Sequence, residues 1–296
     1  MSEQVPLTES IDPMTRGLDH LESPALVDLL TREQLRAVEA VRACSHHIAV
    51  AVDVIAERMR NGGRMHYVGA GTSGRLAYVD ASECPPTFGT PAEMVCAHIA
   101  GGTIALTRAV EGAEDDGEAG AAEIRGHVGT QDVVIGISAS GAAAYVVGAL
   151  SAARSAGAWT LAIVNNESSN LEAFADMTIV VKTGAEPLAG STRLLAGTAQ
   201  KLVLNAISTA TMVRLGKVYE NLMVDLVATN EKLRARSVRL VMHLTGSDEK
   251  QSARMLQDAG GRVKVAVVMA RRRVPVLRAQ ELLSLHQGFL GAALES

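Results

Sequence analysis

A short apolar run at residues 65–68 breaks into Gly69-Ala70-Gly71-Thr72-Ser73-Gly74 and then into helix-compatible residues, and it limits this chain more than any other feature. Strand, glycine-rich turn and helix start in that order make a place for an anion, because the first amides of a helix are unpaired and carry partial positive charge. A carboxylate, Glu83, follows between Ser82, Cys84 and two prolines, in what reads as a stiff loop. An anion site with a carboxylate just beyond it suits an acid–base enzyme acting on a phosphorylated substrate.

Four more short runs rich in branched residues, at 94–97, 133–137, 161–164 and 177–181, alternate with helix-like stretches such as 103–109 and 145–155. Repeated βα units predict an α/β fold, a doubly wound parallel sheet with helices on both faces. Composition agrees: 48% of residues are hydrophobic and only 3% aromatic, as helices packed on a buried parallel sheet require. Ligands of such sheets bind at the carboxyl ends of the strands. Both glycine-containing turns, after Val68 and after Ile137, fall there.

Around this core the chain divides into three. Residues 1–30 are polar, carry Pro6, Pro13 and Pro24, and read as a surface segment. Thr31 reads as the N-cap of one long amphipathic helix reaching about Met59 and ended by Asn61-Gly62-Gly63. Residues 31–228 thus form the α/β domain, closing with a loop after Lys182 and a helix capped by Ser191 that runs to about Leu215. Residues 229–296 read as helices only, a small C-terminal helical subdomain.

The formal net charge of −4 recruits neither nucleic acid nor a membrane surface. Cys44, Cys84 and Cys96 are odd in number and sit in no metal-ligand spacing, which favours a reducing compartment without disulfides. The start has no apolar signal region, and no run of about 18 apolar residues occurs. A cytoplasmic protein is expected.

Gly69–Gly74 matches the dinucleotide fingerprint GxGxxG in letters, but that reading wants an acid at the end of the next strand. The segment there is Ala97-His98-Ile99-Ala100-Gly101, and the nearest acid, Glu93, precedes it. Thr72 and Ser73 instead suggest hydroxyl donors to a monophosphate; a tight turn that binds nothing is the plain alternative. Ser138-Ala139-Ser140-Gly141 repeats the pattern after a second strand, as two hydroxyls and successive amides able to curl round an anion. Glu83 and the run Glu111, Glu114, Asp115 and Asp116 are each readable as solvated surface charge. Glu186 is a further candidate, with helix capping as its plain alternative. Arg271-Arg272-Arg273 reads as a solvated helix end, and His46-His47 has no third ligand, so no metal site is expected.

Together, Gly69–Gly74 and Ser138–Gly141 resemble the sugar isomerase (SIS) domain. The long blocks VGAGTSGRLAYVDASECPPTFGTP, AGGTIALTRAVEGAEDD and GSTRLLAGTAQKLVLNAISTATMVRLGKVYENLMVDLVATNEKL narrow the resemblance to the N-acetylmuramic acid 6-phosphate etherase family. It covers most of the chain, from about Leu7 into the C-terminal helices. It implies a five-stranded SIS sheet, a small C-terminal helical domain, and a homodimer with its active site near the subunit boundary. The implied activity is cleavage of the lactyl ether of N-acetylmuramate 6-phosphate to N-acetylglucosamine 6-phosphate and D-lactate, in recycling or scavenging of cell-wall sugar. Glu83 would be the acid for the departing lactate oxygen and Glu114 the base at C2. Thr72, Ser73, Ser138 and Ser140 would hold the phosphate. Two carboxyl groups suffice for this chemistry if one is protonated and one ionised, so no cofactor is expected.

Departures from the family pattern are also legible. Arg-Thr-Pro is expected where this chain has Ala142-Ala143-Ala144, which removes a cation beside the phosphate turn; Arg75, Arg193 and Lys201 are the nearest substitutes. Glu220 stands where a small residue is usual. The alternatives in other classes are a non-catalytic phosphosugar-sensing SIS regulator, which has no need of Glu83 and Glu114, and an aldose–ketose isomerase, which would yield no lactate.

Overall fold

The computed structural model describes residues 6–228 and 230–296; residues 1–5 of the expected surface segment, and residue 229 at the expected domain boundary, lie outside the described residues. Three short 3₁₀ turns (Leu7–Glu9, Pro13–Thr15, Leu18–His20) lead into α1 (Ser23–Ala43) and α2 (Ser45–Arg60). The core then alternates β1 (Met65–Gly69), α3 (Gly71–Phe88), β2 (Val95–Ile99), α4 (Gly117–Ile124), β3 (Val133–Ser138), α5 (Ala144–Ser155), β4 (Trp159–Val164), β5 (Met177–Val180) and α6 (Leu195–Arg214). A two-stranded ribbon, β6 (Val218–Tyr219) and β7 (Leu222–Met223), precedes α7 (Glu231–Thr245), α8 (Glu249–Asp258), α9 (Val263–Arg272), α10 (Val276–Leu285) and α11 (Leu290–Glu295).

The chain forms two compact units. The first runs up to Ala81 and resumes over Glu93–Ser208; the second joins Ser82–Ala92 to Thr209–Ser296. In the first, β1 to β5 make one parallel sheet in the order β2-β1-β3-β4-β5. The order reverses between β1 and β3, the point at which open α/β sheets take ligands. One face of the sheet buries Val68, Val134, Ala162 and Val164 against Val146, Leu150 and Ile124 of α5 and α4. On the other face Tyr67 donates to Asp80 of α3 (2.9 Å), which also accepts from Asn205 (2.6 Å) and Ser208 (3.0 Å) of α6. The second unit is built round Val241, Leu256, Val263, Val267, Leu283 and Leu290. There Asp225 pairs with the buried Lys264 at 2.7 Å and with Lys217 at 3.4 Å.

Five expectations about local structure are corrected. The long helix starts earlier, at Ser23 with Pro24 in its first turn, and breaks at Cys44, whose thiol donates to the Val180 carbonyl (3.2 Å). Thr31 is no cap: its hydroxyl bonds back to Val27 and Asp28 carbonyls inside α1. Glu83 and the two prolines lie inside α3, not in a loop. Proline removes an amide donor and crowds the carbonyl four residues back, yet here it falls in the last turns, and Gly89 still donates to Pro85 (2.9 Å). The stretch at 103–109 is a 3₁₀ turn, Gly102–Leu106, with glycines in left-handed conformation at its start. The ribbon β6–β7 was not expected, and its turn explains the oddity at Glu220, which has φ +52°, a conformation natural to glycine.

Candidate active site

The turn after β1 is shaped by close backbone approach. A Cβ on Gly69 would sit 2.7 Å from the Gly74 nitrogen, and one on Gly74 would sit 2.8 Å from the Gly69 oxygen and 2.5 Å from Ile99. The fingerprint's first and last glycines are therefore required by strand–helix packing whatever the turn binds. Thr72 is half-buried at the start of α3. Ser73 is 7% exposed and donates its hydroxyl hydrogen to Gln200 Oε1 at 2.8 Å. Gln200 Nε2 donates to Asn165 Oδ1 (3.0 Å), and the Asn165 amide donates to the Ala139 carbonyl (3.1 Å). A continuous polar chain thus ties the first turn to the second.

In that second turn the Ser138 hydroxyl accepts from the Gly141 amide (3.0 Å) and the Ser140 hydroxyl from the Ala142 amide (3.2 Å), with the two oxygens 3.5 Å apart. A hydroxyl that accepts an amide keeps its own hydrogen to give, so these serines can present donors to an anion. Asn166, after β4, donates to the Ala139 carbonyl (3.0 Å) and to Thr8 (2.8 Å), which anchors the N-terminal turns here. Asn165, Asn166, Gln200 and Thr8 were not singled out from sequence. The first two were findable as polar residues closing a buried apolar strand; Gln200 and Thr8 carry no local signal.

The triple alanine has a structural consequence. Ala143 occupies the N-cap of α5 and offers no side-chain acceptor. Its φ −58° and ψ 109° lie outside the α region, the region that a following proline disfavours. Of the three cations named as substitutes, Arg75 donates to the Arg108 carbonyl (3.0 Å). Arg193 and Lys201 line a cavity of about 260 Å³ together with Thr72.

The two carboxylates of interest are both exposed: Glu114 in the 3₁₀ turn Ala113–Asp115 of the first unit, and Glu83 toward the C-terminal end of α3 in the second. Asp116, beside Glu114, is the N-cap of α4 and accepts from Ala119 (2.9 Å). Glu186 follows its capping alternative. Fully buried, it accepts the Leu195 and Ala196 amides at 2.7 and 2.9 Å, and burial raises its carboxyl above the usual range although both amides oppose this. The expected cap, Ser191, lies four residues before the helix. Arg271 and Arg272 are not simply solvated; they donate to the carbonyls of Leu244 (3.1 Å) and Leu294 (3.0 Å). Among the described residues no cluster of three or more His, Cys, Asp or Glu side chains is arranged to hold a metal ion, and no helix is long and apolar enough to cross a membrane.

Residues 47–154 match the family described as glucokinase regulatory protein N-terminal SIS domain, and residues 112–210 match the SIS domain family. A protein of E. coli CFT073, solved as a complex, shares the fold at a TM-score of 0.50 and 20% identity, over 68% of this chain and 97% of its own. The N-acetylmuramic acid 6-phosphate etherase of Gloeobacter violaceus is 51% identical over 100% of this chain and 98% of its own. That of Symbiobacterium thermophilum is 53% identical over 85% of this chain and 84% of its own. With half the residues shared from end to end, on a SIS sheet whose order reverses between two hydroxyl-bearing turns, the chain belongs to the N-acetylmuramic acid 6-phosphate etherase family.

Proposed function

We propose that the chain cleaves the D-lactyl ether of N-acetylmuramate 6-phosphate by elimination and water addition, with Glu114 as base and Glu83 as acid. Direct hydrolysis of an alkyl ether at sp³ carbon is slow at neutral pH, whereas the C1 aldehyde of the opened sugar acidifies the C2 proton. Glu114 takes that proton, the C3–O bond breaks, and Glu83 delivers a proton to the departing lactate oxygen. Water then adds at C3 of the resulting alkene and a proton returns to C2, giving N-acetylglucosamine 6-phosphate. Thr72, Ser73, Ser138 and Ser140 hold the phosphate. The observation that carries the reading is the pair of hydroxyl-bearing turns on the adjacent strands β1 and β3, at the reversal of strand order, in a member of this family. The Ser73 hydroxyl hydrogen is engaged by Gln200, so Ser73 gives the phosphate a hydroxyl donor only by exchanging that bond for one to the ligand.

The reading extends to a cytoplasmic homodimer acting in recycling or scavenging of cell-wall sugar, with residues 31–228 as the phosphosugar-binding domain and 229–296 as a helical subdomain. Sedimentation of the purified chain tests the dimer; a monomer at micromolar concentration would remove it.

The chemistry is tested in D₂O. The wild type should release D-lactate and place deuterium at C2 of the product. Glu83→Ala should stop lactate release, by roughly 10²–10⁴, while C2 exchange in N-acetylglucosamine 6-phosphate persists; Glu114→Ala should lose both. Loss of exchange and release together in Glu83→Ala would overturn the division of roles. Tight phosphosugar binding without any lactate would favour the sensor, the reading to which the glucokinase regulatory protein match lends some weight.

A further inference from the structure

The cavity beside the first turns of α3 and α6 is lined by Thr72, Leu76, Arg193, Gly197, Thr198 and Lys201. Its volume, about 260 Å³, falls below the roughly 300–1,000 Å³ of pockets that enclose a whole small molecule, so it fits one end of a substrate. Arg193 and Lys201 are exposed, and neither is matched to a carboxylate among the described residues. The amides at the start of α6 cannot serve a ligand here, because Glu186 already occupies those of Leu195 and Ala196. The two side chains alone carry the positive charge of the cavity.

We propose that this cavity receives the lactyl carboxylate of the substrate, with Arg193 and Lys201 paired to it while the hydroxyl-bearing turns hold the phosphate. The proposal rests on the etherase reading above. The substrate carries two anions on different ring positions, the C6 phosphate and the carboxylate of the C3 lactyl group, and the reaction removes only the second. A guanidinium fork pairs with carboxylate and phosphate alike, but the hydroxyl- and amide-bearing turns already serve the phosphate, which leaves these two cations for the substrate's second anion. Holding the carboxylate fixes the ether oxygen for departure. It also distinguishes the muramyl sugar from its product, which has nothing to place in the cavity.

The test compares two reactions in the wild type and in the double variant Arg193→Gln, Lys201→Met: lactate release from N-acetylmuramate 6-phosphate, and C2 deuterium exchange in N-acetylglucosamine 6-phosphate. For lactate release kcat/KM should fall about 100-fold, roughly tenfold per lost charge-assisted contact, mainly through KM. The KM for exchange should move by less than about threefold. A second arm is independent of how the variant folds: wild-type enzyme given the substrate with its lactyl carboxylate converted to an amide should show a comparable loss, which the double variant does not deepen. Equal losses on both sugars would assign the cavity to the phosphate and overturn the proposal, as would undiminished activity on the muramyl sugar or on its amide. A wild type that releases no lactate at all would instead defeat the etherase reading itself.

Discussion

The turns after β1 and β3 occupy equivalent places on one sheet, yet they are built differently. The first is held by steric necessity: Gly69 and Gly74 touch backbone to backbone, and Ser73 is buried against Gln200. The second is held by its own hydroxyls, Ser138 and Ser140 each accepting a nearby amide, and it opens into a helix whose N-cap is an alanine. The first turn is thus rigid but has little left to rearrange. The second keeps at least one of its two hydroxyl hydrogens free but leans on weaker, local bonds. A site assembled from both draws its fixed edge from packing and its adaptable edge from hydrogen bonding.

The sharpest way to break this contrast is Gly69→Ala. Its Cβ would meet the backbone of α3 at 2.7 Å, and overpacking against backbone costs about 3 kcal/mol or more. Denaturant unfolding should show it; a loss under about 1 kcal/mol would mean the turn is not sterically fixed.

Acid should also act on the first turn's strand before the second's. His66 in β1 is buried beside His98 (3.0 Å), and burial, then the His98 charge, lower its pKa to about 4. A base whose folded pKa lies below its unfolded value near 6.5 gives stability that is whole above that value and is lost as pH falls toward about 4, up to about 3 kcal/mol. β3 has no titratable side chain. Hydrogen exchange at pH 5 and pH 7.5 should therefore loosen β1 and β2 before β3; equal loosening would contradict it.

Gln200→Leu should separate the turns by cutting the Ser73–Gln200–Asn165 chain. Two buried polar groups lose their partner at a cost of about 2 kcal/mol, measurable as a lowered unfolding midpoint. If the midpoint is unchanged, the two turns are not tied together by this route.

The smallest effect is a gain. Ala143→Thr with Ala144→Pro would give α5 an N-cap acceptor and a first-turn proline, worth about 1 kcal/mol. Restoring Arg at position 142 as well should lower the KM for substrate. An unchanged KM would mean the segment does not help hold the phosphate, whatever it does for the helix.

Much of this was legible. The five strands announced themselves because a strand buried on both faces must be a short apolar run, and all five lie within two residues of their expected places. The glycine-rich turns were legible because glycine alone tolerates the contact between Gly69 and Gly74. Glu83 was misplaced into a loop because two adjacent prolines usually break a helix, and only the number of turns left after them decides whether they do. The break at Cys44 was hidden because apolar periodicity carries straight across it. Gln200 and Thr8 had no local signal, since each matters for a partner dozens of residues away.

The sequence by itself determined the alternation of strands and helices, the two turns at the strand ends, and the kinship those blocks carry, because each depends on neighbours in the chain and on the few residues that fit a given backbone shape. The tertiary structure alone decided that Glu186 caps α6, that Ser73 gives its hydrogen to Gln200, and that Arg193 and Lys201 share a cavity with Thr72. These pairings arise when distant segments converge on a buried polar group that must find a partner once water is excluded, and no spacing along the chain encodes which partner that is.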